Sequence, residues 1–198
     1  MNLINYFNMF FAQAGIILPR EELVRFAGLF KVQVYDKNDI IVKAGETKAF
    51  MGFILKGLVR FYFTHPNGKE YNQTFYAENS FIMNYYPAFV GKATPFNVSA
   101  IEYAEILVGD YAEFEKFYDL NPIWDRAVRL LVTHHYMVKT ERELQFLLFD
   151  AKERYENFMK TKPDLADRLS QYQIAMYLGI NPSSLNRILK HNDNTLAC

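Results

Sequence analysis

Residues 169–190 constrain the fold more than any other part of the chain, because signals for helix, turn and helix follow one another there. Ser170 with Gln173 three residues later is typical of a capping box that opens a helix. Gly179 predicts the end of that helix, since glycine adopts the left-handed conformation at little cost. Asn181 followed by Pro182 predicts the start of a second helix. This order predicts a helix-turn-helix; the alternative is a helical hairpin that only packs.

The predicted second helix has an apolar and a polar face. Leu185, Ile188 and Leu189 form the apolar stripe. Short polar groups and cations on the other face suit base edges and phosphates. The candidate DNA contacts are Gln171, Pro182, Ser183, Ser184, Asn186, Arg187 and Lys190. Because only eight residues follow Lys190 in this sequence, we expect this helix to provide most of the DNA contact.

Charge neither supports nor excludes nucleic acid as the partner. The chain has 22 basic and 22 acidic residues, and residues 163–198 hold three cations and three anions. A DNA-binding module without net positive charge binds weakly on its own, so we expect a dimer that doubles the contacts.

Composition points to a globular protein of the reducing cytoplasm. The chain has 198 residues, 51% of them hydrophobic, and a single cysteine, Cys198, which excludes an internal disulfide or a multi-cysteine metal site. The apolar residues 1–17 lack the basic start of a secretory signal and predict an amphipathic helix. The sequence contains no run of about 18 apolar residues, so it does not predict a membrane span.

The first half of the chain has the pattern of short strands, from Val32 to Val108. Residues 50–63 are rich in aromatic and branched side chains and are interrupted by Gly52 and Gly57. Asn67-Gly68 predicts a tight hairpin turn. The other predicted strands are residues 32–34, 40–42, 71–76, 81–82 and 100–108. Strands at this spacing, with no helical period between them, predict a sandwich or barrel.

From Asn121 onward the pattern is helical. Asn121-Pro122 predicts a helix start, and residues spaced alternately four and three apart continue from Ile123 to Ala151. This spacing favours a long helix with a seam for a partner, although one helix lying across its own barrel is the alternative. The proposed dimer residues are Ala127, Leu130, His134, Met137 and Leu144. A second helical stretch runs from Ala151 to Lys162.

The order of β-barrel, long helix and helix-turn-helix resembles the Crp/Fnr (catabolite activator-like) family of bacterial transcription regulators. The resemblance is sharpest over Ile174–Lys190 and includes residues 43–46 (Lys-Ala-Gly-Glu) and 54–57 (Ile-Leu-Lys-Gly) of the barrel. Arg187 falls where the family commonly places a base-contacting arginine. Pro182 and Ser183 differ from the charged residues usual at their positions, so the operator sequence is expected to differ.

The resemblance implies an α+β chain in three parts. These are a cyclic-nucleotide-binding-like jelly-roll (double-stranded β-helix) barrel at 1–120, a dimerisation helix at 121–149 and a helix-turn-helix domain at 150–198. It further implies a cytoplasmic homodimer that binds a palindromic operator in double-stranded DNA. A small-molecule effector and RNA polymerase are the other implied partners.

The effector segment departs from the family pattern. A cyclic nucleotide needs a cation for its phosphate and a carboxylate for its ribose. Asn84 stands where the resemblance predicts a glutamate, and Thr94-Pro95 where it predicts Arg-Ser. The sequence therefore predicts either an apolar or aromatic pocket for another ligand, or a barrel filled by its own side chains. The candidate pocket residues are Phe81, Asn84, Tyr85, Tyr86, Thr94 and Phe96.

The residues give no support for catalysis, and no cofactor or metal is expected. The barrel offers only His65, and the adjacent His134 and His135 point about 100° apart on a helix, so they cannot bind one metal together. No phosphate loop or nucleophile motif is present. A different class of function stays open: a small-molecule-binding barrel whose helical tail mediates protein assembly.

Overall fold

The computed structural model describes residues 3–196, with side chains through residue 190. The eight strands are β1 (Lys31–Tyr35), β2 (Ile40–Val42), β3 (Phe50–Lys56), β4 (Val59–Thr64), β5 (Glu70–Tyr76), β6 (Phe81–Asn84), β7 (Asn97–Ala100) and β8 (Ala104–Asp110). The helices in the described residues are α1 (Leu3–Gln13), α2 (Arg20–Gly28), α3 (Tyr86–Val90), α4 (Tyr111–Glu115), α5 (Phe117–Leu120), α6 (Ile123–Leu148), α7 (Ala151–Thr161), α8 (Pro163–Ala166), α9 (Gln171–Leu178) and α10 (Pro182–Leu196).

The strands form two four-stranded sheets, one in the order β1-β8-β3-β6 and the other in the order β2-β7-β4-β5. The registered pairs are antiparallel, for example Phe53 opposite Phe81 and Phe61 opposite Val98. Neighbours that are distant in sequence, such as β1 with β8, are typical of a jelly roll. The predicted jelly roll within an α+β chain is confirmed.

Alternation along the strands divides the apolar side chains between two cores. Phe50 and Ile54 of β3 face the inter-sheet core, which also contains Val59 and Val98 of the other sheet. Met51 and Phe53, at the alternate positions, face the helix-side core, which helices α1, α2, α4, α5 and α6 help to build. The helical members of the helix-side core are Phe7, Phe11, Leu23, Phe26, Tyr111, Phe114, Phe117, Trp124 and Ala127.

Several boundaries differ from the sequence prediction. The strand predicted for residues 100–108 is two strands, β7 and β8, because the chain bends at residues 101–103. The single helix predicted for residues 1–17 ends at Gln13, and α2 follows it. The short helix α3 lies within the region predicted to be entirely strands. Gly52 lies inside β3, and only Gly57 falls at a strand end.

A buried carboxylate ties α2 to the start of α6. Glu22 is 4% exposed, and its Oε2 accepts a hydrogen bond of 2.8 Å from the indole Nε1 of Trp124. The side chain of Asn121 caps α6 by accepting a 3.0 Å hydrogen bond from the Ile123 N–H, as predicted. This end of the long helix is therefore held within the helix-side core.

The chain separates into two compact units. The first contains residues up to Tyr62 together with Thr74–His134, and the second contains Phe63–Gln73 together with the chain from His135 onward. The hairpin between β4 and β5 thus belongs to the same unit as the C-terminal helices. The division into functional domains at 1–120, 121–149 and 150–198 stays a prediction.

Within residues 3–196, no helix combines the length and the apolar composition that a bilayer crossing requires.

A substitution at Gly57 tests the packing between the end of β3 and the start of β8. Its φ is 98°, and a Cβ there would lie 2.8 Å from Ala104 Cα. Gly68, at the hairpin turn, has a φ of 83° and open space around it. We expect Gly68→Ala to lower the free energy of unfolding by about 1 kcal/mol through backbone strain alone, and Gly57→Ala by about 3 kcal/mol through strain and overpacking. Urea denaturation measures both; equal losses would contradict the packing at Gly57.

Candidate nucleic-acid interface

The first helix of the helix-turn-helix begins at the predicted capping box. The Gln173 N–H donates to Ser170 Oγ at 3.3 Å, and the Ser170 N–H donates to Gln173 Oε1 at 3.1 Å. Both bonds satisfy backbone donors that a helix N-terminus leaves without intrahelical partners. The chain therefore enters α9 where the sequence predicts.

The turn between the two helices depends on Gly179. Its φ is 65°, in the left-handed region, and the Ile180 N–H donates to the Ala175 carbonyl at 2.9 Å. This is the Schellman arrangement that ends a helix. Ile180, only 4% exposed, anchors the turn in apolar surroundings as predicted.

The second helix, α10, has the two faces that the sequence predicts. Leu185 is buried, and Ile188 and Leu189 are half-buried. Positions 183, 186, 187 and 190 lie on the opposite arc because a helix turns about 100° per residue. All four side chains there are exposed: Ser183, Asn186, Arg187 and Lys190. We call Pro182–Lys190 the recognition helix and these four side chains its polar arc.

Local hydrogen bonds hold the beginning of the recognition helix. Asn181 Oδ1 accepts from the Ser183 N–H at 3.1 Å and from Ser183 Oγ at 3.0 Å, which completes the predicted cap. The Arg187 guanidinium donates to Ser184 Oγ at 3.0 Å while staying exposed. Of the other predicted contacts, Gln171 is exposed on the first turn of α9, and Pro182 and Ser184 are half-buried.

A cleft beside the recognition helix contains residues that the sequence analysis missed. Asp150, Ala151 and Lys152, at the start of α7, line an open space of about 470 Å³ together with Ser184, Arg187 and Ile188 of α10. Lys152 therefore lines the same cleft as Arg187 and adds a third cation to Arg187 and Lys190 of the polar arc. The signal was present, because Asp150 and Glu153 form a capping box that starts α7, with Asp150 Oδ1 accepting from the Glu153 N–H at 2.9 Å.

The six predicted pocket residues do not surround one cavity. Phe81 lies in the helix-side core, 4.8 Å from the Phe53 ring centroid, whereas Phe96 packs against the inter-sheet core. These two rings therefore pack in different cores and do not line one pocket together. Tyr85 is exposed and Tyr86 half-buried at the start of α3, outside both cores.

The other two predicted pocket residues, Asn84 and Thr94, are buried, at 0% and 2% exposure. Asn84 Nδ2 donates to the Lys48 carbonyl at 3.2 Å, and Glu46 and Thr94 are joined through their backbones at 2.8 Å. Asn84 Oδ1 and Thr94 Oγ1 have no hydrogen-bond partner in the part of the chain described. Both oxygens belong to the segment where the family resemblance places a nucleotide.

These residues do not fit a cyclic nucleotide. A phosphate needs a cation or several convergent N–H donors. Lys92, the only charged side chain of residues 83–98, follows α3 and is exposed. Ile54, Val59, Val98 and other side chains fill the inter-sheet core and are fully buried. Of the two alternatives from the sequence, a ligand pocket or a filled barrel, the packing of this core favours the filled barrel.

The predicted dimer residues on α6 fall into two groups. Ala127 is 1% exposed within the helix-side core, so its side chain is turned toward its own chain and cannot belong to a seam for a partner. Leu130, Met137 and Leu144 are exposed at 36%, 53% and 49%, and His134 is also exposed. The helix ends at Leu148, so the predicted seam does not extend through Ala151.

No group of three or more His, Cys, Asp or Glu side chains that could hold a metal occurs within the described residues. Cys198 and the side chain of His191 lie outside the described residues.

Comparison with known proteins gives the same fold. Residues 32–121 match the family model of the cyclic nucleotide-binding domain. The c-di-GMP-responsive global regulator CLP of Xanthomonas campestris superposes with a TM-score of 0.73 at 13% identity, covering 89% of this chain and 93% of that one. Residues 32–121 thus resemble a cyclic nucleotide-binding domain, and the chain shares the fold of CLP.

Two further solved structures share this fold. FixK2 of Bradyrhizobium japonicum gives a TM-score of 0.71 at 16% identity, with 84% of this chain and 85% of that chain covered. CooA of Carboxydothermus hydrogenoformans gives 0.67 at 19% identity, with coverages of 86% and 79%. No curated protein matches the chain in sequence.

The lack of a phosphate-binding cation generates a prediction for ligand binding. A ligand present at 100 times its Kd stabilises a protein by about 2.7 kcal/mol, which moves the unfolding temperature by several degrees. We expect cAMP and cGMP, each at about 1 mM, to move the Tm by less than about 1 °C. Thermal unfolding with and without nucleotide measures this, with a known cyclic nucleotide-binding protein as the positive control. A shift of several degrees would contradict the account of residues 83–98.

Proposed function

We propose that this protein is a cytoplasmic, dimeric transcription regulator that binds a palindromic DNA operator through its recognition helix. The observation that carries the proposal is the polar arc, four exposed side chains on a helix whose opposite face is buried at Leu185. A recognition helix presents short polar groups and cations to the edges of bases in the major groove. The fold that this chain shares with CLP supports the proposal, since CLP is a global regulator.

Each polar-arc residue has a distinct proposed role. The Arg187 fork can donate two parallel hydrogen bonds to O6 and N7 of a guanine. Lys190 carries a compact charge without a planar fork, so it suits a phosphate oxygen. Ser183 and Asn186 lie on the same arc and can bind base edges. Lys152, in the cleft beside Arg187, adds a second cation for the backbone.

The proposed dimer forms along α6. Leu130, Met137 and Leu144 are spaced by seven residues, the repeat of a coiled-coil seam, and all three are exposed. Two-fold pairing of α6 would place the two recognition helices on successive turns of one DNA face. Doubling the contacts also compensates for the absence of net positive charge in residues 163–198.

For the barrel, we propose that no cyclic nucleotide acts as effector. Asn84 Oδ1 and Thr94 Oγ1 are the buried oxygens still available for hydrogen bonding in this segment, and neither carries a charge. They suit an uncharged ligand of small size, because the inter-sheet core beside them is filled by its own side chains. Either such a ligand or none is the proposed input.

Substitutions on the polar arc test the proposal. Genomic fragments captured by the wild-type protein supply the operator, and mobility shifts against random competitor measure preference. We expect Arg187→Ala to lose the preference, at a cost of about 1–3 kcal/mol for the specific base pair. Lys190→Ala should weaken operator and random DNA alike, because a phosphate contact carries no sequence information.

Arg129→Ala is the matched control, since Arg129 is an exposed cation of α6 and is not part of the recognition helix. It should leave the preference between operator and random DNA unchanged. A wild-type protein that shows no preference for any DNA over random competitor would overturn the proposal. The assembly function of the helical tail would then be the remaining hypothesis.

A further inference from the structure

Arg142 of α6 makes a set of contacts that the proposed DNA interface does not use. Its Nη2 donates to the carbonyl of Asn72 at 3.2 Å and to the carbonyl of Tyr177 at 2.7 Å. Its Nε is buried without a hydrogen-bond partner among the described residues. Burial lowers the pKa of this guanidinium, and the nearby Tyr177 opposes that shift. The charge is therefore held against backbone carbonyls in a partly desolvated place.

Aromatic rings fix the plane of the guanidinium. Its carbon lies 4.8 Å from the Phe146 ring centroid and 4.6 Å from that of Tyr177. Arg154 also lies against Phe146, at 5.1 Å, and donates to the Leu178 carbonyl at 3.1 Å. Tyr177 and Leu178 are the last residues of α9, whose final carbonyls lack intrahelical donors. Cations at a helix C-terminus interact favourably with the helix dipole.

Asn72 makes a second connection between the β4–β5 hairpin and α9. This side chain on β5 is only 2% exposed, and its Nδ2 donates to the Gln173 carbonyl at 3.0 Å. Asn72 thus offers its backbone carbonyl to Arg142 and its amide group to α9. The hairpin is joined near both ends of α9, at Gln173 through Asn72 and at Tyr177 through Arg142.

We propose that Arg142 is a positioning residue that locks the β4–β5 hairpin to the first helix of the helix-turn-helix, so that the two elements hold the recognition helix as one body. A lysine would replace it only in part, because its ammonium can donate to both carbonyls but lacks the planar group that lies against the two rings. Strands β4 and β5 continue along the chain from this hairpin into the jelly roll. Strands β4 and β5 therefore connect the jelly roll covalently to the hairpin that Arg142 contacts.

Hydrogen exchange followed by mass spectrometry tests the lock without DNA. We expect Arg142→Met to raise amide exchange by about tenfold in both residues 65–73 and residues 171–178, because charge-assisted hydrogen bonds are lost on both sides. Arg142→Lys should give a smaller rise in the same two segments. Lys139→Met is the matched control, since Lys139 is an exposed cation on the same helix, and it should change neither segment.

Two further observations keep the result decisive. Strands β3 and β8 should keep their wild-type exchange in Arg142→Met. If they also exchange faster, Asn72→Ala replaces that variant; it removes the amide donor to the Gln173 carbonyl, and the same two segments should exchange faster. Exchange that stays at the wild-type level in either segment, in the variant that decides the test, would overturn the proposal.

The consequence for DNA rests on the proposed function. Arg142→Met should weaken operator binding by about tenfold while keeping the preference for operator over random DNA, because Arg142 is half-buried against α9 and acts on the recognition helix without contacting bases. Loss of the preference itself would contradict a positioning role. If the wild-type protein does not prefer any DNA sequence, the proposed function fails, whereas the exchange result still decides whether the lock exists.

Discussion

The C-terminal end of α9 is the point on which the helix-turn-helix depends. The last carbonyls of any helix need donors from elsewhere, and here they receive them from Ile180 beyond the Gly179 turn and from the guanidinium groups of Arg142 and Arg154. A Cβ at Gly179 would lie 2.8 Å from the Phe146 ring, so the turn and the ring are packed against each other. The direction in which the recognition helix leaves α9 follows from these contacts.

A similar physical constraint, the alternation of side chains along β3, β6 and β8, explains the character of the barrel. One face of these strands packs against the N-terminal helices and the start of α6, and the other packs against the second sheet. Phe81 and Phe96 are therefore separated by a sheet. A chain that matches the cyclic nucleotide-binding domain can thus form these strands without the charged groups that a nucleotide requires.

The parts predicted correctly from sequence are those that depend on local chemistry. Ser170, Gly179 and Asn181 act within three or four residues of their own positions, so their caps and turn could be inferred directly. The interior location of Ala127 and the position of Phe81 depend on elements far away in the sequence, and periodicity alone could not supply them. Arg142 was visible only as one more cation on a long helix; its contacts with Asn72 arise because the fold brings a strand seventy positions away against it.

Methylation interference on a captured operator tests the central claim most directly, since it reports on the major groove where the recognition helix is placed. We predict that methylation at guanine N7 blocks binding in two groups of bases about 34 Å apart on one face of the duplex. This pattern requires both the polar arc and a two-fold dimer. Interference spread evenly along the site, or none in the major groove of a bound duplex, would contradict it.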